Sequence, residues 1–182
     1  PICTKYKNIL SPDDIMLKKF SCPESTKLII YDDDHNYMAS VIAEKLLKEG
    51  HEVTYITPLP TVATWTQYTL EQPAILERLK SCGVIFKLNF KINKNLEFLD
   101  TINNEILKIN SKDLVFVGGR TPNDKLYKKY IKLHAQENIF LSGDCLVPST
   151  IQAAVLSGHQ VARKILSRGK SVLYSMREQT IF

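Results

Sequence analysis

The first half of the chain alternates short apolar runs with helical periodicity. Residues 27–31 contain Leu28, Ile29 and Ile30 in a row, and such a continuous apolar run is typical of a strand covered on both faces. Apolar residues within 38–46 then recur at helical spacing, and Gly50 follows in the position of a helix terminator. Residues 51–56 repeat the strand pattern. Strand, turn, helix, glycine and strand over about thirty residues predict a βαβ unit with parallel strands.

The remaining pattern predicts elements on both sides of this unit. Residues 1–10 are expected to be irregular, whereas Ser11, Pro12 and two acids predict a short helix that runs to about residue 20. Pro73 opens a helix that Gly83 terminates. Strand-like segments are 84–92, 114–117 and 139–141, with one or two antiparallel strands in 96–109. A last helix is predicted from about residue 149 to 167. Together these elements predict an α/β fold, a Rossmann-like three-layer arrangement of a parallel sheet with an antiparallel β excursion.

The turn after the first strand of the βαβ unit bears on dinucleotide binding. In such a turn, the glycines of G-x-G-x-x-G let backbone N–H groups and the helix N-terminus reach the pyrophosphate. Here Asp32, Asp34 and Tyr37 occupy the three glycine positions, and the second strand ends in Thr57 rather than in an acid that would hold the ribose. The side chains would fill the space of the phosphate and the carboxylates would repel it. We therefore predict that this degenerate turn does not bind NAD.

Two explanations of the acidic turn are open. Carboxylates at a helix N-terminus cap its free N–H groups and offset its dipole, so the turn could simply be a self-capped helix start. This explanation is favoured. Asp32, Asp34 and His35 could alternatively hold a metal ion, but three neighbouring ligands without a supporting partner are weak evidence, and no metal site is expected.

Composition and charge narrow the class of protein. Hydrophobic residues make up 44% and charged residues 24%, as in an ordinary globular protein. No run approaches the ~20 apolar residues of a membrane helix, and the first residues lack a secretory signal, so a cytoplasmic protein without a membrane partner is expected. The net charge is +5, but we expect the basic run 125–132 to be the solvated face of a helix and not a nucleic-acid site.

The four cysteines do not form a recognisable metal or cluster motif. Cys3, Cys22, Cys82 and Cys145 lie too far apart in sequence for zinc-knuckle or iron–sulfur spacings. We expect them to be free thiols.

Further motifs run in order along nearly the whole chain. They lie at residues 37–39, 43–46, 50–54, 68–73, 118–120, 143–144 and 158–163. The most specific are 68–73, Tyr-Thr-Leu-Glu-Gln-Pro, and 158–163, Gly-His-Gln-Val-Ala-Arg. In this order they resemble the C-terminal region of the trimethylamine dehydrogenase family, which comprises multidomain flavoproteins of the NADH:flavin oxidoreductase or old-yellow-enzyme type.

The resemblance implies a particular domain organisation. Members carry a (β/α)8 barrel with FMN and a 4Fe-4S cluster, followed by two domains that resemble the FAD and NAD domains of glutathione reductase. On that pattern, residues 1–25 are an N-terminal extension with a short helix, 26–117 a NAD(P)-binding-like domain, and 118–182 the returning part of a FAD- or ADP-binding-like domain with its C-terminal helix. The chain has neither the barrel nor a cysteine cluster, so no cofactor is expected on the chain itself.

The resemblance also implies partners and site residues. ADP or FAD would bind only in a longer parent, whose electrons leave to an electron-transferring flavoprotein. The partner is then the rest of a larger flavoenzyme or another subunit, and a homodimer is possible. Arg120 is expected to pair at the surface and His159 to be packed, and no catalytic residue is expected. The expected nucleotide contacts are Gly143, Asp144, Thr150 and Ile151, although Asp144 could instead satisfy backbone donors in a helix-entry turn.

Three functions remain open at this point. The first is a nucleotide-binding-like region of a trimethylamine- or dimethylamine-dehydrogenase-like oxidoreductase, with the chemistry elsewhere. The second is a stand-alone, non-catalytic module that binds ADP, another nucleotide or a protein, through the Asp144 helix end or the loop that carries Trp65. The third is an NAD(P)H-dependent reductase domain with an atypical turn.

Overall fold

The computed structural model describes residues 8–20, 23, 25–109, 111, 113–133 and 139–166. The chain divides into two compact units, residues 1–118 and 119–182. The elements of the first unit are β1 (Asn8–Leu10), α1 (Pro12–Met16), β2 (Lys27–Asp32), α2 (Met38–Lys48), β3 (Glu52–Ile56), a 3₁₀ helix (Thr64–Gln67), α3 (Gln72–Ser81), β4 (Ile85–Lys87), β5 (Phe90–Ile92), β6 (Phe98–Asp100) and β7 (Asp113–Val117). The second unit contains α4 (Lys125–Leu133), a 3₁₀ turn (Gly143–Cys145) and α5 (Ile151–Leu166).

A five-stranded parallel sheet organises the first unit. Its strand order is β1-β7-β2-β3-β4, and β2 lies at its centre, with Ile29 opposite Thr54 of β3 and Leu114 of β7. The strands β5 and β6 form a separate antiparallel pair, to which a single bridge between Leu99 and Ile106 adds a third segment. The predicted parallel sheet with an antiparallel excursion is confirmed.

The two faces of the parallel sheet support two separate cores. Successive side chains of a strand point to opposite faces, so Leu28 and Ile30 join the core shared with α1, α2 and α3, where Ile42 of α2 and Leu79 of α3 are completely buried. The residues that face the other way belong to a second core with the β5–β6 hairpin; they are Ile29, Tyr31, Ile56, Leu114 and Phe98. Helices, parallel sheet and hairpin thus form three layers, as predicted.

Three strand predictions are wrong in detail. Asn8–Leu10, expected to be irregular, form the edge strand β1 because they find hydrogen-bonding partners on β7, more than a hundred residues later in sequence. The strand-like segment 84–92 is two strands in different sheets, since a turn with Asn89 in the left-handed conformation (φ 63°) separates β4 from β5. Residues 139–141 are not a strand, and no described strand pairs with them.

Local sequence signals predict the first residues of the helices more accurately than the last residues. Ser11 caps α1 in a capping box: its hydroxyl accepts the Asp14 N–H (3.2 Å) and its own N–H donates to the Asp14 carboxylate (2.9 Å). Yet α1 ends at Met16, short of residue 20. The helix α3 lies within one residue of its predicted bounds, and α5 begins at Ile151, two residues later than predicted.

The second unit has amphipathic helices but no buried core among its described residues. Neither α4 nor α5 contains a buried residue. Leu126, Ile151 and Leu166 are between 68% and 86% exposed. The basic run 125–132 lies on α4, as predicted, and Lys128 pairs with Asp124 at 2.8 Å. The apolar packing that stabilises the described chain is therefore concentrated in the first unit.

The hairpin layer should contribute strongly to stability. Phe98 is completely buried and its ring lies 5.7 Å from that of Tyr31. We predict that Phe98→Ala lowers the free energy of unfolding by about 3–5 kcal/mol, because it leaves a cavity between the sheet and the hairpin. Urea denaturation followed by circular dichroism measures this, with Leu70→Ala as the control, because Leu70 is 87% exposed. Equal effects of the two substitutions would contradict the layered core.

Candidate functional site

The degenerate turn lies at the carboxyl ends of the parallel strands. In open α/β sheets, this is the edge at which ligands bind. Asp32 is the last residue of β2, its neighbour across the ladder is Val117 at the end of β7, and the Asp33 N–H donates to the Val117 carbonyl at 2.7 Å. The turn is thereby attached to two adjacent strands before α2 begins.

The carboxylate of Asp32 folds back onto the turn that follows it. Its Oδ1 accepts the backbone N–H of His35 at 2.9 Å and that of Asp34 at 3.2 Å. This is an Asx-type turn, in which a side chain takes the place of a backbone acceptor. His35 adopts the left-handed conformation (φ 61°) within it. Two N–H groups that a glycine-rich turn would offer to a phosphate are therefore already satisfied from inside the chain.

Tyr55 satisfies the other carboxylate oxygen. Its hydroxyl donates from the neighbouring strand β3 to Oδ2 of Asp32 at 2.5 Å, and both side chains are fully buried. Burial raises the pKa of Asp32, and the hydrogen bonds from Tyr55 and His35 offset only part of that effect. Burial and the adjacent Asp32 also raise the pKa of Tyr55, so the phenol keeps its proton and acts as a donor.

The start of α2 differs from the predicted self-capped helix. Asp32 caps the turn and not the helix, because its partners are the N–H groups of residues 34 and 35. Tyr37 is the N-cap residue of α2, and its side chain makes no capping bond. Its hydroxyl instead donates to the Glu71 carboxylate and lies 3.0 Å from the Thr69 hydroxyl.

Thr69 and Glu71 extend the polar surface of this edge. The Thr69 hydroxyl donates to the same Glu71 oxygen at 2.6 Å. The hydrogen bonds from Thr69 and Tyr37 lower the pKa of Glu71, which stabilises its charged form. The edge therefore presents carboxylates where a dinucleotide site presents free N–H groups.

The metal alternative finds no support in the part of the chain that the structure describes. No group of three or more His, Cys, Asp or Glu side chains there could hold a metal ion. Asp32 is poorly suited to bind a metal ion, because its two carboxylate oxygens already accept hydrogen bonds from the turn and from Tyr55.

The other predicted nucleotide contacts belong to the second unit. Gly143 has φ 64°, a conformation that favours glycine, and its N–H donates to the Ser157 hydroxyl of α5 at 2.8 Å. Asp144 follows with an exposed carboxylate. At the start of α5, the Thr150 hydroxyl accepts the Ala153 N–H at 3.3 Å, and Ile151 is 86% exposed. The structure thus places Gly143 against α5 and gives Thr150 the role of a helix cap.

Other singled-out side chains are exposed or partly exposed. His159, expected to be packed, lies on the exposed face of α5, because this helix has no core to bury it within the described chain. Arg120 is exposed, as expected for a surface residue. Cys82 and Cys145 are free thiols, as predicted, whereas Cys3 and Cys22 lie outside the described residues.

The partners of the turn give no recognisable signal in the sequence. Tyr55 lies at an inward position of β3, where its apolar ring fits the strand pattern and its hydroxyl gives no separate signal. Thr69 and Glu71 belong to the family-specific segment 68–73, and their link to Tyr37 spans more than thirty residues. The register of β3 against β2 brings Tyr55 to Asp32, whereas the path of the loop before α3 brings Thr69 and Glu71 to Tyr37.

Removal of the Tyr55 hydroxyl should destabilise the protein. We predict that Tyr55→Phe costs about 1–3 kcal/mol, because it leaves Oδ2 of Asp32 buried without this donor. Urea denaturation measures the change, and Tyr68→Phe is the matched control, since Tyr68 is 82% exposed. A loss no larger than that of the control would show that the hydrogen bond is not important for stability.

Asp32 should also make stability depend on pH. The pKa of its carboxyl is higher in the folded chain than in the unfolded chain, where it is about 3.8. This stabilising contribution is complete below that value and is lost as the pH rises through the folded pKa. Relative to Asp32→Asn, the wild type should therefore lose stability as the pH rises above about 4. A difference in melting temperature between the two proteins that is constant with pH would refute the assignment.

No helix of the described chain is long and apolar enough to cross a membrane.

Comparisons with known proteins agree with this architecture. Histamine dehydrogenase from Rhizobium sp. 4-9 is similar over 93% of this chain, with 29% identity and a TM-score of 0.80. The 6-hydroxypseudooxynicotine amine oxidase HisD from Pseudomonas geniculata N1 is similar over 86%, with 26% identity and a TM-score of 0.77. The flavoprotein disulfide reductase RclA from Escherichia coli shares the fold (15% identity, TM-score 0.56, 92% of this chain and 41% of that one).

The chain corresponds to only a part of its larger relatives. It covers 27% of the histamine dehydrogenase chain and 24% of the amine oxidase chain. Residues 10–95 match the family described as the OYE-like second alpha/beta domain. The resemblance predicted from the sequence motifs is thus confirmed: residues 10–95 are similar to the OYE-like second alpha/beta domain family, and the chain resembles the C-terminal domain of trimethylamine-dehydrogenase-like flavoproteins.

Proposed function

We propose that this chain serves as the nucleotide-domain-like region of a trimethylamine- or dimethylamine-dehydrogenase-like flavoprotein oxidoreductase. It holds no catalytic centre of its own and does not bind NAD at the turn 32–37. The observation that carries this proposal is the carboxylate of Asp32, which accepts the N–H groups of Asp34 and His35 that a dinucleotide phosphate would need.

The electrostatic balance at the turn favours this proposal. A phosphate about 4 Å from one carboxylate is repelled by about 1 kcal/mol in water and by about 4 kcal/mol near a protein surface. A helix N-terminus stabilises an anion by only about 0.3–1 kcal/mol at an exposed site. Asp33 and Asp34 lie in the turn itself, and Asp33 is exposed. The repulsion therefore exceeds the gain from the helix dipole.

The chemistry of the parent enzyme would take place elsewhere. The two relatives are named as a dehydrogenase and an oxidase of amines, which supports an amine as the substrate of the parent. On the family pattern, FMN and the 4Fe-4S cluster belong to a barrel outside this segment, and electrons leave to a protein acceptor such as an electron-transferring flavoprotein. An electron path to a protein needs no nicotinamide site on this sheet.

The Gly143–Asp144 turn retains one property of a nucleotide site. The exposed carboxylate of Asp144 can accept the hydroxyl groups of a sugar. The start of α5 is less suited to a phosphate, because Thr150 already accepts the Ala153 N–H. In a parent that binds ADP or FAD, we therefore assign Asp144 to the ribose or ribitol and Thr150 to the helix cap.

A titration of the purified chain with NADH tests the main proposal. We expect a colourless protein and no saturable calorimetric signal up to millimolar NADH, because the Asp32 carboxylate already accepts the Asp34 and His35 N–H groups. ADP provides the second arm: weak saturable binding that Asp144→Ala abolishes would place the remaining nucleotide contact at the second turn. Micromolar binding of NADH, or a stoichiometric flavin in the purified protein, would overturn the proposal.

A further inference from the structure

Large apolar side chains are exposed on the segment that adjoins the degenerate turn. Trp65 is 52% exposed, Tyr68 82% and Leu70 87%. The rings of Trp65 and Tyr68 stack, with centroids 5.9 Å apart and an interplanar angle of 21°. Tryptophan and tyrosine are enriched among the residues that dominate protein–protein binding energy, so this pair is suited to contact a partner.

The backbone holds these rings in place. The Trp65 N–H donates to the His35 carbonyl at 3.0 Å, which attaches the 3₁₀ helix to the turn. Thr66, on the buried side of the same helix, donates its hydroxyl to the Ala63 carbonyl at 2.7 Å. Ala63 and Leu70, on either side of the rings, adopt the left-handed conformation with φ 46° and 62°. The rings are thus presented from a fixed loop, which reduces the entropy lost when a partner binds.

The charged residues of the loop and of the neighbouring turn are acidic, although the whole chain is cationic; Arg78, whose charge also acts on Glu71, is paired with Glu44 at 3.2 Å. The segment 61–72 contains one charged residue, Glu71, and the neighbouring turn contributes Asp33 and Asp34. Tyr37 connects the two parts through its hydrogen bond to Glu71. The chain as a whole carries a net charge of +5, so the local sign is opposite to that of the molecule.

This combination selects a cationic partner. The faces of Trp and Tyr rings attract cations, and the adjacent carboxylates add attraction of the same sign. Arginine suits the surface better than lysine, because its planar guanidinium stacks on aromatic rings and binds a carboxylate through two parallel hydrogen bonds. Nucleotides, nucleic acids and other polyanions are repelled by the same groups.

We propose that the edge formed by Asp33, Asp34, Tyr37, Trp65, Tyr68 and Glu71 is a docking surface for an arginine-bearing segment of a partner protein. The inference rests on the proposed function, since a bound dinucleotide would cover the same edge. It goes beyond that function in assigning the surface an occupant.

Trp65 is the only tryptophan of the chain and therefore reports directly on this surface. The full chain is titrated with a synthetic peptide of alternating arginine and glycine, and with a matched peptide that has glutamate in place of arginine. We expect the arginine peptide, and not the glutamate peptide, to change the Trp65 fluorescence saturably, with an affinity that falls as salt concentration rises. The corresponding lysine peptide should bind more weakly.

Two variants test the chemistry without removal of the reporter. Glu71→Gln should weaken binding of the arginine peptide about threefold to tenfold, and Tyr68→Ala about threefold. Glu77→Gln makes the same change of charge at an exposed position of α3 and should leave the affinity unchanged. Circular dichroism confirms that each variant is folded.

The outcomes separate this inference from the proposed function. Equal responses to the arginine and glutamate peptides, no saturable response, or equal effects of Glu71→Gln and Glu77→Gln would overturn the docking surface. Each of these results leaves the absence of NADH binding intact. Saturable NADH binding would overturn the proposed function, whatever the peptides do.

Discussion

The carboxylate of Asp32 is the interaction on which the carboxyl edge of the sheet depends. A buried carboxylate must find donors inside the protein, and here they are two N–H groups of the turn and the hydroxyl of Tyr55. In this conformation of the turn, the His35 carbonyl accepts the Trp65 N–H and the Tyr37 hydroxyl donates to Glu71. One desolvated group thus determines the conformation of the turn and the position of the aromatic loop beside it.

The fold was predictable where the signal was local or periodic. The apolar run of β2, the amphipathic pattern of α2 and the helix cap at Ser11 each lie within a short stretch of sequence, and each was interpreted correctly. The edge strand β1 was missed because three residues carry no periodicity and their pairing with β7 is non-local. Segment 84–92 was misjudged because a single left-handed residue, Asn89, transfers the chain from one sheet to the other.

The site was predictable in part only. Its location follows from the βαβ pattern, and the objection to a phosphate follows from the residue types at positions 32, 34 and 37. The way in which Asp32 is satisfied could not be predicted, since Tyr55 reaches it through the register of β2 against β3. Likewise, the exposed aromatic pair emerges only when the structure shows that Trp65 and Tyr68 stack outside the core.

The hydrogen bond between Tyr55 and Asp32 has an evolutionary consequence. Replacement of Asp32 by glycine would free the turn for a phosphate, but it would also leave a buried phenol without its acceptor. Asp34 and Tyr37 would still occupy the other two glycine positions. No single substitution therefore creates a dinucleotide site here, and the first step towards one lowers stability before any ligand can compensate. The buried hydrogen bond thus couples the loss of the acidic turn to a loss of stability.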